Sequence, residues 1–294
     1  MLAKRRLSST FGMAIDGIDL SAELQDGEFR EIEQAFWDAQ VLAIKGQRLD
    51  PARYLAFARR FGRPEPHVID QFHHPGFPDI LILSNRMQDG RPVGLADAGS
   101  YFHTDYSYLD VPARLTMLYS IEVPKRGGNT LFADMYAAYA DLPARTKQRI
   151  DDLVVLHHYG NRDDLDEASR TAASQLTAEQ RDKVRWVRHK LVRTHHGTGR
   201  KALYAVSGSS FAIDGMARQD GVAFLDELKA HALQDKYRLS YSYDVGDVVL
   251  WDDLSTLHSA TLTDSNDPRT LWRITVKEDP TPADGGRVNQ TRRN

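Results

Sequence analysis

Short-period alternation of apolar and polar positions dominates this chain, and helical periodicity interrupts it in four places. Residues 11–20, "FGMAIDGIDL", alternate up to Gly17 and predict an opening strand. In "EFREIEQAFWDAQ" (28–40), Phe29, Ile32 and Phe36 share one helical face. "VLAIKGQ" follows as a short apolar strand ending at Gly46. "DPARYLAFARRFG" (50–62) is a second helix, with Asp50 as N-cap, Pro51 in the first turn and Gly62 as the stop. Its apolar face is Tyr54, Leu55, Ala58 and Phe61.

Strand-like runs then take over: "DILILSN", "LTMLYSIEV", "LVRTHH", "KALYAV", "YRLSYSY", "VVLWD" and "TLWRITV". Turn signals such as "GTGR" at 197 and "DVGD" at 244 separate several of them. Two further helical regions interrupt, "DMYAAYADLPARTKQRIDDL", divided by Pro143, and "DGVAFLDELKAHALQ", with Val222, Leu225, Leu228 and Ala232 in register. Residues 161–188 are charged and poor in apolar positions, which suits either a lid or a solvated insertion. Residues 279–294 read as a frayed tail. Many short strands with inserted helices predict a mainly β fold, a jelly roll (double-stranded β-helix), as one domain over 1–278.

Composition narrows the function classes. A chain of 294 residues with 41% hydrophobic and 27% charged residues is ordinary for a globular protein. A net charge of −3 carries no basic excess for nucleic acid or an anionic membrane. The basic start "MLAKRRLSST" lacks the apolar stretch of a secretory signal, and no run is long enough to span a bilayer, so the expected location is the cytoplasm. There is no cysteine, so a metal would need His, Asp, Glu or carbonyl ligands.

The candidate chemistry begins at "GSYFHTDYSY" (99–108). In extended backbone, residues i and i+2 point to one side, so His103 and Asp105 would converge and Thr104 would face away. The same tripeptide also suits a polar turn. Of the eleven histidines, His258 stands out because it follows a buried strand ending at Trp251. Two histidines and a carboxylate on a β-scaffold form the facial triad of non-haem Fe(II) oxygenases, with open positions for a chelating cosubstrate and O₂. Arg269 lies eleven residues after His258, and Arg273 four further. On a strand both would point into the same interior, where a guanidinium is costly unless it meets an anion.

Taken in order, "FHTD", "GGNT" (127–130), "WDDLSTLH" (251–258) and "RTLWR" (269–273) resemble the taurine dioxygenase and phenoxyacetate-herbicide dioxygenase family of Fe(II)/2-oxoglutarate enzymes. The resemblance runs from the opening strand to about Lys277, and the 27-residue interval from His103 to Thr130 agrees with it. It implies that His103, Asp105 and His258 ligate Fe(II), and that Thr130 and Arg269 hold the distal carboxylate of 2-oxoglutarate. It implies that Arg273 faces an active-site anion, either the acid group of a small organic substrate or the keto acid end of the cosubstrate. His67, in "PEPHVID", falls near the position of a substrate-binding histidine in the taurine enzyme, and a plain surface-loop histidine is the other reading of it. Two residues depart from the common motif, Phe102 for Trp and Asp253 for Asn, and neither is expected to touch a ligand. The implied reaction hydroxylates, and can thereby cleave, a small organic anion such as a sulfonate, sulfate ester, aryloxyalkanoate or other carboxylate, with release of succinate and CO₂. A non-catalytic jelly roll binding metal and 2-oxoglutarate, a nucleic-acid demethylase and a hydrolytic metal site are the competing classes. A homodimer or homotetramer is open.

Overall fold

The computed structural model describes residues 2–96, 99–159, 177, 179 and 185–277. The strands are, in chain order, β1 (Ala3–Arg6), β2 (Met13–Asp16), β3 (Val41–Ile44), β4 (His73–His74), β5 (Phe77–Ser84), β6 (Met87–Gln88), β7 (Arg91–Pro92), β8 (Ala113–Glu122) and β9 (Thr130–Asp134). They continue as β10 (Val154–His157), β11 (Val187–Lys190), β12 (Val192–Thr194), β13 (Lys201–Leu203), β14 (Ser210–Ile213), β15 (Arg238–Tyr241), β16 (Val248–Asp252), β17 (Thr256–Ala260) and β18 (Thr270–Lys277). The α-helices described along their length are α1 (Asp26–Ala39), α2 (Pro51–Arg59), α3 (Met135–Ala140), α4 (Ala144–Ile150) and α5 (Arg218–Ala232).

An eight-stranded sheet runs β1-β2-β3-β16-β8-β18-β5-β4, antiparallel except for β2 with β3. Its inner strands are buried on both faces and therefore read as continuous apolar runs. Leu42, Ile44, Val248, Leu250, Ile274 and Val276 pack on Phe29, Ile32 and Phe36 of α1 and Tyr54 and Leu55 of α2. The alternate positions Val41, Val249, Trp251 and Leu271 face the other way, against Phe132 and Tyr241 of a three-stranded sheet ordered β15-β9-β17. Two sheets face to face make the expected jelly roll, and residues of both, among them Leu118 and Trp251 of the large sheet and Thr130 and His258 of the small one, line a common cavity. A third core, around Tyr136 of α3 and Leu225 and Leu228 of α5, supports the back of the small sheet.

The local signals account for the helix ends. Asp50 accepts the N–H of Arg53 at 2.8 Å, an N-cap worth about 1 kcal/mol. Pro143 stands immediately before α4 and separates it from α3. Of the expected lid at 161–188, most lies outside the described residues, while Val187 and Arg188 open strand β11. The expected tail also lies outside them. Among the described residues, no helix is long and apolar enough to cross a membrane.

Candidate metal and cosubstrate site

His258 lies past the end of β16, as expected, and within the next strand, β17, and His103 pairs with it as an isolated antiparallel bridge. Each donates its backbone N–H to the other's carbonyl at 2.9 Å. Their rings lie 4.2 Å apart, centroid to centroid. His103 alone of its tripeptide pairs as a strand residue. Asp105 begins a turn, and Thr104 gives its hydroxyl to the Thr256 carbonyl at 3.3 Å. The convergence of His103 and Asp105 therefore comes from a bridge followed by a turn, rather than from i, i+2 on one strand.

One oxygen of the Asp105 carboxylate lies 3.5 Å from His103 Nε2 and the other 3.6 Å from His258 Nε2. These separations are too long for hydrogen bonds. The His103 Nδ1–H donates to the Tyr101 carbonyl at 2.8 Å, which leaves Nε2 as the nitrogen that faces Asp105. Burial and the neighbouring His103 push His258 well below the ordinary histidine range, so its ring is neutral. Burial opposes charge on Asp105, but the Arg273 guanidinium beside it holds its carboxyl well below the usual carboxylate range. One atom from each residue lies within 4.8 Å of the others. Two imidazoles and one anionic oxygen around a common point fit a divalent transition metal.

Asp253, expected to touch no ligand, does touch a candidate one, Asp105. Its Oδ1 accepts the backbone N–H of Asp105 at 3.1 Å, and its Oδ2 lies 2.8 Å from the Thr116 hydroxyl. That hydroxyl also lies 2.7 Å from Asp105 Oδ2. Burial and the charge on Asp105 push Asp253 well above the usual carboxylate range. The expectation failed because Thr116 and Asp253 reach Asp105 only through sheet pairing, in which Trp251 stands opposite Thr116.

Thr130 opens β9 and is buried, with its hydroxyl 2.8 Å from that of Tyr243. Gly127 and Gly128 both take positive φ, 72° and 65°. A Cβ on Gly128 would lie 3.1 Å from Arg269 Cδ and Nε, so this glycine lets the loop close over the arginine. Arg269 precedes β18, and Arg273 lies within it on the same side as buried Leu271. Both arginines line a cavity shared with the three metal-ligand candidates, Thr130 and His67.

Arg273 already has an anion, since its Nη2 lies 2.7 Å from Asp105 Oδ1. Its burial therefore does not by itself require a bound ligand. The His67 Nδ1 accepts the N–H of Ile69 at 3.1 Å, which leaves the proton of the neutral ring on Nε2. Burial, with Arg273 nearby, pushes its pKa to about 3.

The tyrosines of the wall were given no role by sequence reasoning. Tyr101, Tyr108 and Tyr159 line the cavity, and the rings of Tyr108 and Tyr159 lie 4.3 Å apart. The aromatic run around His103 was a visible signal for the first two. Tyr243 had none, because it stands far along the chain from Thr130 and Arg269.

Comparison with known proteins agrees with this geometry. The family model "Taurine catabolism dioxygenase TauD, TfdA family" matches residues 3–275. An α-ketoglutarate-dependent 2,4-dichlorophenoxyacetate dioxygenase of Burkholderia sp. (strain RASC) is 34% identical over 89% of this chain and 90% of its own. A pentalenolactone F synthase of Streptomyces arenae is 30% identical over 92% and 93%. The crystal structure of AAD-2 with Mn(II) and N-oxalylglycine superposes with a TM-score of 0.78 at 30% identity, covering 95% of this chain and 98% of that one.

Proposed function

The chain belongs to the TauD/TfdA family and is an Fe(II)- and 2-oxoglutarate-dependent dioxygenase, and from that premise we propose how its residues divide the work and which substrate it takes. His103, Asp105 and His258 hold Fe(II). Arg269 and Thr130 hold the distal carboxylate of 2-oxoglutarate by charge and hydroxyl. The observation that carries this reading is the convergence of the three ligand atoms within 4.8 Å, in one cavity with Thr130 and Arg269. Bound there, Fe(II) with 2-oxoglutarate and O₂ supplies the oxidation, in which the keto acid becomes succinate and CO₂ and one oxygen atom enters a substrate C–H bond.

The protein's part is placement and shielding. The His103–His258 bridge fixes two ligands through the backbone itself. Asp105 stays ionised beside Arg273, so it offers an anionic oxygen at every physiological pH. The apolar side chains of Leu83, Leu95 and Leu118 in the wall limit water around the reacting carbon.

For the substrate we assign an aryl ether carrying a carboxylate. Support comes from the tyrosine pair Tyr108–Tyr159, which offers faces for an aromatic ring, and from the name of the Burkholderia relative. The substrate's acid group belongs near Arg273 and the Nε2–H of His67. Hydroxylation of the carbon beside the ether oxygen gives a hemiacetal, which collapses to a phenol and an aldehyde acid. The test is succinate formation coupled to each member of a panel of aryloxyalkanoates, sulfonates, alkyl sulfates and simple carboxylates. Aryloxyalkanoates are expected to give the highest kcat/KM. Turnover of short alkyl sulfonates with no turnover of any aryl ether would overturn the assignment.

A further inference from the structure

We infer that Tyr243 is a positioning residue for 2-oxoglutarate, acting through Thr130: it makes the Thr130 hydroxyl a hydrogen-bond donor toward the cavity. The inference rests on the assignment of Thr130 and Arg269 to the distal carboxylate.

The argument is a count of protons. A threonine hydroxyl and a phenol each have one proton to give and lone pairs to receive. Their oxygens are 2.8 Å apart, and both residues are buried, Thr130 at 3% and Tyr243 at 8% exposure. Either one can be the donor by distance alone. Their surroundings decide between them. Thr130 lines the cavity beside Arg269, and Tyr243 stands behind it, outside the lining. Among the described residues the only hydrogen-bond partner of the Tyr243 hydroxyl is Thr130. A buried donor left unmade costs more than the bond returns, so the phenol gives its proton to Thr130. Thr130 is then left with its own proton and turns it to the cavity.

The electrostatics favour the same direction. An anion beside Arg269 wants a donor from Thr130, and a relay from phenol to hydroxyl to carboxylate strengthens each bond in turn. Burial pushes the Tyr243 phenol up to about 12, so it keeps its proton at neutral pH. The position is fixed by the sheet. Tyr241 pairs with Thr130 across β15 and β9, and Tyr243, two residues on, packs its ring 5.1 Å from that of Tyr241.

The experiment is calorimetric titration of the Mn(II)-loaded protein with 2-oxoglutarate and, separately, with oxalate, which lacks a distal carboxylate. Tyr243→Phe should raise the 2-oxoglutarate Kd about three- to tenfold and leave the oxalate and Mn(II) affinities unchanged. Thr130→Val should raise the same Kd, and Tyr243→Phe added to Thr130→Val should weaken it no further. An unchanged Kd in Tyr243→Phe, with Thr130→Val and Arg269→Ala both weakened, overturns the role of Tyr243 alone. Equal loss for oxalate, or full additivity with Thr130→Val, also overturns it, because Tyr243 would then act by packing. If neither Arg269→Ala nor Thr130→Val weakens 2-oxoglutarate, the distal-carboxylate assignment itself falls.

Discussion

The main chains of His103 and His258 are locked together by two reciprocal hydrogen bonds of 2.9 Å, although 155 residues separate them in sequence. A bridge made by backbone survives loss of either side chain. His258→Ala is therefore expected to keep the fold while losing the metal. Equilibrium dialysis with Fe(II) or Mn(II) should show binding weakened by at least about a hundredfold, with turnover abolished. The circular dichroism spectrum should be that of the parent. Parental activity in His258→Ala would remove this histidine from the ligand set.

Asp253 holds the other side of the site. Its Oδ1 is the acceptor for the Asp105 N–H, and Asp105 is buried. Asp253→Ala leaves that N–H unmade and should cost about 1–3 kcal/mol of stability, read by urea unfolding. Asp253→Asn keeps an amide oxygen for the N–H and offers its NH₂ to the Thr116 oxygen, so it should cost less and retain metal binding. Equal loss in the two variants would mean that volume, not the acceptor, is what Asp253 supplies.

The two cavity arginines should separate kinetically. A charge-assisted contact is worth about 1.5–3 kcal/mol, so Arg269→Ala should raise the apparent constant for 2-oxoglutarate about ten- to a hundredfold. Arg273→Ala should raise KM for the substrate more than that for 2-oxoglutarate. It also strips Asp105 of the cation 2.7 Å away, so the metal should be released at a higher pH than in the parent. A loss confined to 2-oxoglutarate in Arg273→Ala would place this guanidinium on the keto acid instead of the substrate.

The large sheet was legible because burial on both faces writes continuous apolar runs such as "VVLWD". Strands β9 ("TLFAD") and β17 ("TLHSA") were not, since each is five residues long and mixed in character. Their strand state comes from pairing with each other, Leu257 opposite Ala133 and His258 opposite Phe132, which no local pattern encodes. The metal-ligand candidates were legible for a different reason, as their residue types and intervals recur in order. Thr116, Asp253 and Tyr243 carry no such mark. Each is an ordinary residue brought to the site by register, and its role exists only in three dimensions.

The last expectation concerns acid. His157 is fully buried between the rings of His189 and Tyr204, and burial, with His189 and Arg193 nearby, pushes its pKa from 6.5 to about 3. The folded chain thus keeps this ring neutral where the unfolded chain protonates it. Between about pH 6.5 and pH 3 the unfolded state binds one more proton at this residue, so stability falls as the pH is lowered. The stabilisation is complete above the unfolded value of 6.5 and gone below the folded value of about 3. The slope from one such histidine is about 1.4 kcal/mol per pH unit at its fullest. Urea unfolding at several pH values from about 4 to 5.5 should therefore be steeper in the parent than in His157→Phe, by nearly that slope. The comparison does not depend on the absolute stability of the variant, because only the pH dependence is read. Identical slopes would mean that His157 is protonated in the folded protein, and that the site around it opens to water in acid.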